Sequence, residues 1–521
     1  MRGRQLCLLV AVAACFPSGA LAAPVLMMSR DGHVSKRQDR FLNQPDPSPA
    51  PVSSAAPGPA PPPGAPRASM SRAPQRTVRS ELTRLYRAGR ISQSAYQAYQ
   101  GSFTAALTAE KRLRGVAASE LEAVIENLHQ IAVRGLLTAP RLPALFLTLD
   151  RNRQWWTSGP VPAADARIEF QGSQVVWQYY PGQGLELQVL GTFGKADGLY
   201  TAGALQYAAL RDLLGEMIPL AVARDGGLAW EYYFHFDGGS PPWISAMAQG
   251  TAIEALTRAY EAFSSGSGGT SPGPGAGGGP QLPAGAYLQL AHQALGVFTA
   301  PPPAGVAVAT PLGTRYLQYS FAPTTDIINA FLQSLIGLYD YAQTSHDAEA
   351  QALFARGNAQ AQSELPQFDT GAWSLYEPGV EDSLDYHNLV TGFLDQLCSK
   401  TSIPVYCTTA AHFHSYLTTP PTLSLLTTTA IARNPVTLRF RLSKYSHVGV
   451  VVLRGQQTVF LTSADFGYGT QSFAVPPLGA GRYTVRLAAT DLAGNFNRTV
   501  ATLQVNRRRR GAARPGSPAG H

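Results

Sequence analysis

The sequence predicts a mixed α+β protein of several domains: an (α/α) toroid with inserted β-hairpins and a short β-rich segment, followed by an all-β sandwich. Helical periodicity dominates residues 202–417, where helical stretches alternate with short extended pieces. Extended segments separated by turn residues fill residues 144–190, which predicts the β-rich segment. After the Thr-Thr-Pro-Pro sequence at 418–421, short alternating strands follow one another to about residue 505, as in a sandwich.

The start of the chain has the pattern of an export signal. Arg2 and Arg4 precede an apolar run over residues 6–14, and Ala-Leu-Ala at 20–22 is a cleavage site of the A-x-A type. We therefore expect residues 1–22 to be a signal peptide and the protein to be secreted. The alternative is a lipoprotein anchored through Cys15, which ends a loose lipoprotein box.

Composition predicts little order at both ends. Residues 23–75 are rich in Pro, Ala and Ser and predict a disordered spacer, whereas residues 76–140 predict helices.

Residues 1–76 carry a net charge of +6 and residues 506–521 carry +5, so the rest of the chain, whose total charge is +8, carries −3. The basic character belongs to the ends, and nucleic-acid binding is not implied. The tail at 506–521 could touch acidic wall polymers or the cell envelope.

Two helical stretches carry a long and specific pattern. They are Pro241–Tyr260, PPWISAMAQGTAIEALTRAY, and Asn329–Asp340, NAFLQSLIGLYD, each with apolar residues at i, i+3, i+4 and i+7. Together they resemble the C-terminal domain of the D-glucuronyl C5-epimerases, which invert C5 of a uronic acid. The resemblance implies an epimerase-like domain over residues 141–417, with a flexible insertion at 264–280, and it implies the toroid as well.

Inversion at C5 requires a base on one face of the sugar and an acid on the other, with donors that hold the enolate-like intermediate. In the epimerase family, tyrosines of three motifs are assigned to this work. Carried over, they are Tyr319 after Gln318, Tyr376 after the Asp-Thr-Gly segment at 369–371, and Tyr386 in the Asp-Tyr-His segment at 385–387. The reaction requires neither nicotinamide nor metal, and we predict no cofactor and no metal site.

Further side chains are candidates for substrate binding. The predicted set is Gln318, Trp243, Gln249, Asn329 and His387. Trp243 could stack on a sugar or belong to the core, and His387 could orient Tyr386 or be structural. The amides of Gln249 and Asn329, which lie in apolar turns, could instead anchor the scaffold.

Two motifs depart from the family pattern. Gln318 replaces an acidic residue, and Glu-Pro-Gly at 377–379 replaces Asp-Leu-Arg, so an arginine that would pair with the substrate carboxylate is missing. Arg258 or Arg315 could substitute for it, or both could be surface residues.

The remaining predictions concern the C-terminal half. Cys398 and Cys407 flank a short loop between two predicted helices and would form a disulfide in an oxidising compartment. Residues 422–505 resemble bacterial immunoglobulin-like modules, because Leu-Gly-Ala-Gly-Arg-Tyr at 478–483 matches a tyrosine corner. Such modules are spacers or weak glycan binders, and we assign this one no chemistry.

These features predict C5 epimerisation of hexuronic acid in an extracellular polysaccharide. A polysaccharide lyase is the first alternative, since it begins with the same proton abstraction. A non-catalytic glycan-binding surface protein is the second, favoured by Gln318 and the missing arginine. The partner in each case is a polysaccharide that contains uronic acid, and the sequence indicates no oligomeric state.

Overall fold

The computed structural model describes residues 23–42, 76–264 and 282–507. The predicted signal peptide, most of the predicted spacer, the insertion after Ser264 and nearly all of the basic tail lie outside the described residues. Within those ranges the protein is mixed helix and sheet, with a β-rich C-terminal region.

Residues 23–42 are not a spacer, which corrects the sequence prediction. They form a hairpin of β1 (Ala23–Met28) and β2 (Val34–Asp39), whose turn contains Gly32 at a positive φ of 87°. β1 pairs in parallel with β3, completing a five-stranded sheet in the order β2-β1-β3-β4-β5. The other strands are β3 (Arg167–Phe170), β4 (Trp177–Tyr180) and β5 (Gly184–Leu187). The Pro-rich composition of residues 43–75 had obscured this hairpin, of which only β1 is apolar, in the sequence.

In the described part of the chain before β3 there are four α-helices. They are α1 (Val78–Arg87), α2 (Gln93–Arg112), α3 (Val116–Val133) and α4 (Leu142–Ser158). Residues 144–150, predicted as extended, belong to α4, so this part of the prediction is wrong. A short apolar run fits either structure, and here Leu142, Leu145 and Leu149 are all buried on one helical face.

The segment from residue 189 to 416 alternates helices with short hairpins, as predicted. The helices are α5 (Val189–Thr201), α6 (Tyr207–Met217), α7 (Ala246–Ser264), α8 (Ala284–Ala294), α9 (Ile328–Ser345), α10 (Ala348–Glu364), α11 (Leu384–Thr401) and α12 (Pro404–Tyr416). The hairpins are β6 (Val222–Arg224) with β7 (Gly227–Ala229), β8 (Ala307–Ala309) with β9 (Thr314–Tyr316), and β10 (Leu375–Glu377) with β11 (Val380–Glu381). The predicted disulfide between Cys398 and Cys407 is present and joins α11 to α12.

The two signature helices, α7 and α9, cross at small residues in the core. A Cβ atom on Gly337 would lie 2.1 Å from the carbonyl oxygen of Gly250, and one on Gly250 would lie 2.7 Å from the Cα of Ser334. Side chains at these positions would push the helices apart, because protein interiors leave no spare volume. Gly250 and Gly337 in the two signature stretches therefore set the distance between the helices.

The C-terminal region consists of eight strands in two sheets. Its strands are β12 (Leu423–Leu425), β13 (Thr429–Ile431), β14 (Val436–Leu442), β15 (Ser446–Arg454), β16 (Gln457–Phe466), β17 (Gly469–Val475), β18 (Gly481–Asp491) and β19 (Phe496–Asn506). One sheet has the order β12-β14-β17 and the other β13-β19-β18-β15-β16, and both contribute to one apolar core. The Tyr483 hydroxyl donates to the Gly479 carbonyl at 2.9 Å, the hydrogen bond expected of a tyrosine corner.

Within the described ranges, none of the helices combines the length and the apolar character needed to cross a bilayer.

Candidate functional site

The structure brings the three predicted tyrosines together. Tyr319 lies just after β9, Tyr376 in β10 and Tyr386 in the first turn of α11. The hydroxyls of Tyr376 and Tyr319 are neighbours, close enough for hydrogen bonding. The rings of Tyr376 and Tyr386 meet edge to face, with centroids 5.1 Å apart. We call these three residues the tyrosine cluster.

The signature helix α7 positions Tyr319. The backbone at residues 317–320 runs beside the start of that helix, where Ala246 donates to the Leu317 carbonyl and Ser320 donates to the Ile244 carbonyl, both at 2.9 Å. Two backbone bonds on either side of Tyr319 leave its ring little freedom. The first signature stretch therefore acts on the position of Tyr319 through the backbone.

The other two tyrosines are held by a turn and a helix cap. Asp369 orders its own turn by accepting the Gly371 N–H at 2.8 Å, which leads into β10 and Tyr376. The Ser383 side chain caps α11 by accepting the N–H of Tyr386 at 3.3 Å. The turn and the cap each involve residues that are close in the chain, so the sequence can indicate them. The contact between the Tyr376 and Tyr386 rings cannot be read from the sequence.

Aromatic rings enclose Tyr319. Phe321 stacks on it with centroids 5.2 Å apart, Phe236 lies at 5.6 Å, and Trp243 meets it edge-on at 5.7 Å. Trp243 is only 3% exposed and stacks on Tyr232 at 4.2 Å. It therefore supports Tyr319 from inside the core, which corrects its prediction as a sugar platform.

Burial keeps the phenols neutral. It raises the pKa of Tyr319 to about 12, while donation from Tyr376 and from the Gln318 amide pulls that pKa down. Burial raises the pKa of Tyr376 further, as do the neighbouring tyrosines and the hydrogen bond to Tyr319. Tyr319 is thus the more acidic of the two, because both of its neighbours donate to its oxygen.

Acidic side chains border the tyrosine cluster. Burial raises the pKa of the Glu377 carboxyl, and the charges of Asp237 and Asp326 raise it as well. Asp237 and Glu377 both act on Tyr319. Sequence reasoning treated Glu377 only as a departure from the family motif and missed Asp237, which the Phe-Asp-Gly-Gly turn at 236–239 could have indicated.

Neither arginine proposed as a carboxylate partner is a surface residue without a partner. Arg258 lies between Asp197 at 3.0 Å and Glu254 at 2.5 Å. Arg315 pairs with Glu364 at 2.6 Å and also with Asp326. Both guanidinium groups are already neutralised by carboxylates of the chain.

A buried hydrogen-bonded chain runs behind Tyr376 and Tyr386. Ser374 Oγ lies 2.5 Å from Asp382 Oδ2 and 2.7 Å from His387 Nδ1, while His387 Nε2 lies 3.0 Å from the Phe413 carbonyl. Because a carbonyl can only accept, Nε2 carries a proton. A neutral His387 then accepts the Ser374 proton at Nδ1, and Asp382 donates to Ser374 as a carboxylic acid. Burial raises the pKa of Asp382 to about 7 and lowers that of His387 to about 4, in agreement with this arrangement.

All five predicted substrate-binding residues are buried, Gln249, Asn329 and His387 as well as Trp243 and Gln318. The Gln249 amide accepts the Trp230 N–H at 3.1 Å and donates to the Trp230 carbonyl at 2.9 Å, so it anchors the scaffold. His387 is fully buried in the chain just described. Both amide atoms of Asn329 are buried and make no hydrogen bond within the described part of the chain, so its prediction as an anchor is wrong. Gln318 remains beside Tyr319.

Within residues 23–42, 76–264 and 282–507, His, Cys, Asp and Glu side chains form no group of three or more that could hold a metal ion.

Comparison with known proteins concerns the helical part of the chain. Residues 224–266 and 284–415 match the family model described as D-glucuronyl C5-epimerase C-terminus. These residues include the whole tyrosine cluster. The match supports the epimerase family. It does not extend to the five-stranded sheet or to the C-terminal β region.

Two curated proteins are similar to part of the chain. A D-glucuronyl C5-epimerase of Caenorhabditis elegans is 31% identical over 150 residues, which is 26% of this chain and 21% of the worm protein. An uncharacterised protein of Methanocaldococcus jannaschii is 24% identical over 187 residues, which is 34% of this chain and 54% of that protein. The chain thus aligns with about a fifth of one relative and about half of the other.

Proposed function

We propose that the protein catalyses C5 epimerisation of hexuronic acid residues in an extracellular polysaccharide. The observation that carries the proposal is the tyrosine cluster, because three separate motifs converge on one contact. The family match over the same residues supports it. In the same proposal the helices form an (α/α) toroid of the epimerase type, residues 422–505 form an immunoglobulin-like sandwich, and residues 1–22 direct export.

Tyr319 is the proposed base. As a phenolate, formed when its hydroxyl proton passes to water, it takes the C5 proton, and the electron pair of the C–H bond moves into the carboxyl group to give an enediolate. Donation from Gln318 and Tyr376 stabilises the phenolate. A glutamine suits this role, since a carboxylate at position 318 would oppose ionisation of Tyr319.

Tyr386 is the proposed acid. Its phenol gives a proton to C5 on the opposite face, and the electron pair returns from the enediolate to form the new C–H bond. Tyr376 lies between the two, in contact with both, and holds the intermediate by hydrogen bonding. After the reaction Tyr319 releases its proton to water and Tyr386 regains one from water, so the protons balance.

The charge around the tyrosine cluster constrains the substrate. Asp237 and Glu377 lie close enough to influence Tyr319, and the two candidate arginines are occupied. Neutral phenols therefore replace an arginine as partners of the substrate carboxylate. We expect a polymer of lower charge density than a heavily sulfated chain, because like charges repel.

Incubation of the protein with uronic-acid polysaccharides in deuterated water tests the proposal. C5 epimerisation introduces deuterium at C5 of an intact polymer, which NMR detects. A lyase would instead give an unsaturated product that absorbs in the ultraviolet. Binding without exchange on every polymer tried would refute catalysis and favour a glycan-binding protein.

A further inference from the structure

The C-terminal β region is built into the support of the tyrosine cluster. Glu381, in β11, is only 8% exposed and receives two backbone N–H groups from that region. Tyr445 donates to its Oε1 at 2.7 Å from the β14–β15 loop, and Tyr468 donates to its Oε2 at 2.8 Å from the β16–β17 turn. One buried carboxylate of the site hairpin thus joins two loops of the other region.

A buried lysine makes a second connection. The Lys444 ammonium pairs with Asp491 at 2.7 Å and donates to the carbonyls of Tyr416 and Thr419 at 2.7 and 2.6 Å. It also lies 5.2 Å above the ring of Trp373. A buried ion pair adds little stability compared with apolar residues, but it demands one geometry. Such a connection fits a fixed interface better than a flexible spacer.

Both connections lead to tyrosines. Glu381 pairs across the hairpin with Leu375, the neighbour of Tyr376. Trp373 stacks on His387 with ring centroids 3.8 Å apart, and His387 follows Tyr386. The β10–β11 hairpin, which carries Tyr376, and α11, which carries Tyr386, are therefore each connected to the C-terminal β region.

We propose that the C-terminal β region is a positioning part of the active site, which keeps Tyr376 and Tyr386 in contact through Glu381 and Lys444. This inference rests on the proposed function for its catalytic consequence. Its structural part stands separately, because the order of the β10–β11 hairpin can be measured without a substrate. Glu381 and Lys444 are positioning residues, since neither touches the tyrosine hydroxyls.

The test is Glu381→Gln in the full chain. The amide keeps one acceptor but turns an N–H group toward a backbone donor, so one of the two interface bonds is lost. We expect amide hydrogen exchange in peptides covering residues 372–390 to become at least about tenfold faster. On an active polymer, kcat should fall about tenfold while KM stays within about twofold, because misplacement affects the chemical step.

A matched control is Asp465→Asn, which removes a carboxylate from the same region but only affects an exposed pair with His447. It should leave hydrogen exchange and kcat unchanged. Should Glu381→Gln fail to fold, Glu381→Asp takes its place, because a carboxylate shorter by one methylene cannot reach both donors.

Unchanged exchange in residues 372–390 of the folded variant would overturn the inference. Failure of the proposed function gives a different result. In that case the wild-type protein incorporates no deuterium at C5, while the peptide exchange still decides the role of the C-terminal region.

Discussion

At the scale of single residues, the tyrosine cluster consists of phenol groups that are buried close to one another. Each phenol is less than 9% exposed and the pKa values of Tyr319 and Tyr376 are raised, so both are neutral near pH 7. Hydrogen bonding has opposite effects on the two groups, since it lowers the pKa of Tyr319 and raises that of Tyr376. This asymmetry is the reason for proposing Tyr319 as the base.

Removal of one hydroxyl tests these roles. We expect Tyr386→Phe and Tyr376→Phe each to reduce deuterium incorporation at C5 by about 100-fold or more, since an acid–base group contributes about 10²–10⁴ in rate and a donor to the charged intermediate about 10²–10³. The matched control is Tyr316→Phe, because Tyr316 is equally buried and its hydroxyl donates only to the Leu353 carbonyl. The control should retain exchange. Undiminished exchange in Tyr386→Phe would refute its assignment as the acid.

The buried chain of Asp382, Ser374 and His387 has a distinct effect on stability. The raised pKa of Asp382 means that its folded form binds a proton that the unfolded form, with a pKa near 3.8, releases. Alone it makes the protein less stable as pH rises from about 4 to 7. The lowered pKa of His387 has the opposite sign, making the protein more stable as pH rises from about 4 to 6.5. The two contributions nearly cancel in the wild type.

Asp382→Asn should reveal this compensation. The amide imitates the protonated acid and leaves only the histidine contribution. We expect the gain in the free energy of unfolding between about pH 4.5 and pH 6.5 to exceed that of the wild type by about 2 kcal/mol. Urea denaturation at the two pH values measures it. An equal pH dependence in variant and wild type would mean that Asp382 is ionised in the folded protein.

At the scale of elements, the crossing of α7 and α9 depends on glycine. The backbones approach so closely at Gly250 and Gly337 that a Cβ has no space, although glycine is a poor helix former. Close approach brings the start of α7 beside the segment that carries Tyr319. The helix crossing and the position of the proposed base are therefore set together.

Gly337→Ala should destabilise the protein. The added methyl would lie 2.1 Å from the Gly250 carbonyl oxygen, and we expect a loss of about 1–3 kcal/mol in the free energy of unfolding. Gly392→Ala in α11 is the matched control, because its Cβ would meet no atom within 4 Å. That variant should gain about 0.5–1 kcal/mol through helix propensity. Thermal and urea denaturation of both variants measure whether the free energy of unfolding falls in one and rises in the other.

At the scale of the whole molecule, distant parts of the chain complete one another. The hairpin at residues 23–39 adds two strands to the sheet of β3, and its Asp39 lies 3.1 Å from the buried Lys195 ammonium of α5. Glu169 contacts the same ammonium at 2.7 Å. The C-terminal region likewise reaches the site hairpin through Glu381. Neither end of the described chain is an appendage.

Asp39→Ala tests whether the first hairpin is integral. It leaves the buried Lys195 with one carboxylate instead of two, and we expect the free energy of unfolding to fall by about 2–3 kcal/mol. Lys36→Ala on the same strand, where the side chain is exposed, should change it by less than about 0.5 kcal/mol. Equal stabilities of the two variants would contradict an integral role.

Local signals explain which sequence predictions succeeded. The signature helices, the hairpins between helices, the disulfide and the alternating strands of the C-terminal region all depend on near neighbours in the chain. Two predictions failed for different reasons. Residues 144–150 are a short apolar segment that fits a strand or a helix, and burial against the rest of the protein decided for the helix. Residues 23–39 were assigned to a spacer from the composition of the longer segment, although they pair with β3 in the sheet.

For the candidate site, the sequence by itself predicted the three tyrosines and revealed the missing acid and arginine, since sequence motifs can be compared residue by residue. Only the tertiary structure decided that Trp243, Gln249 and His387 support the site from within, that Ser374 links Asp382 to His387 by hydrogen bonds, and that Glu381 connects the C-terminal region to the site. The physical reason is the separation along the chain between the groups that interact. A cap or turn is fixed by residues a few positions apart, whereas burial, pKa and contact depend on groups brought together from distant parts of the chain.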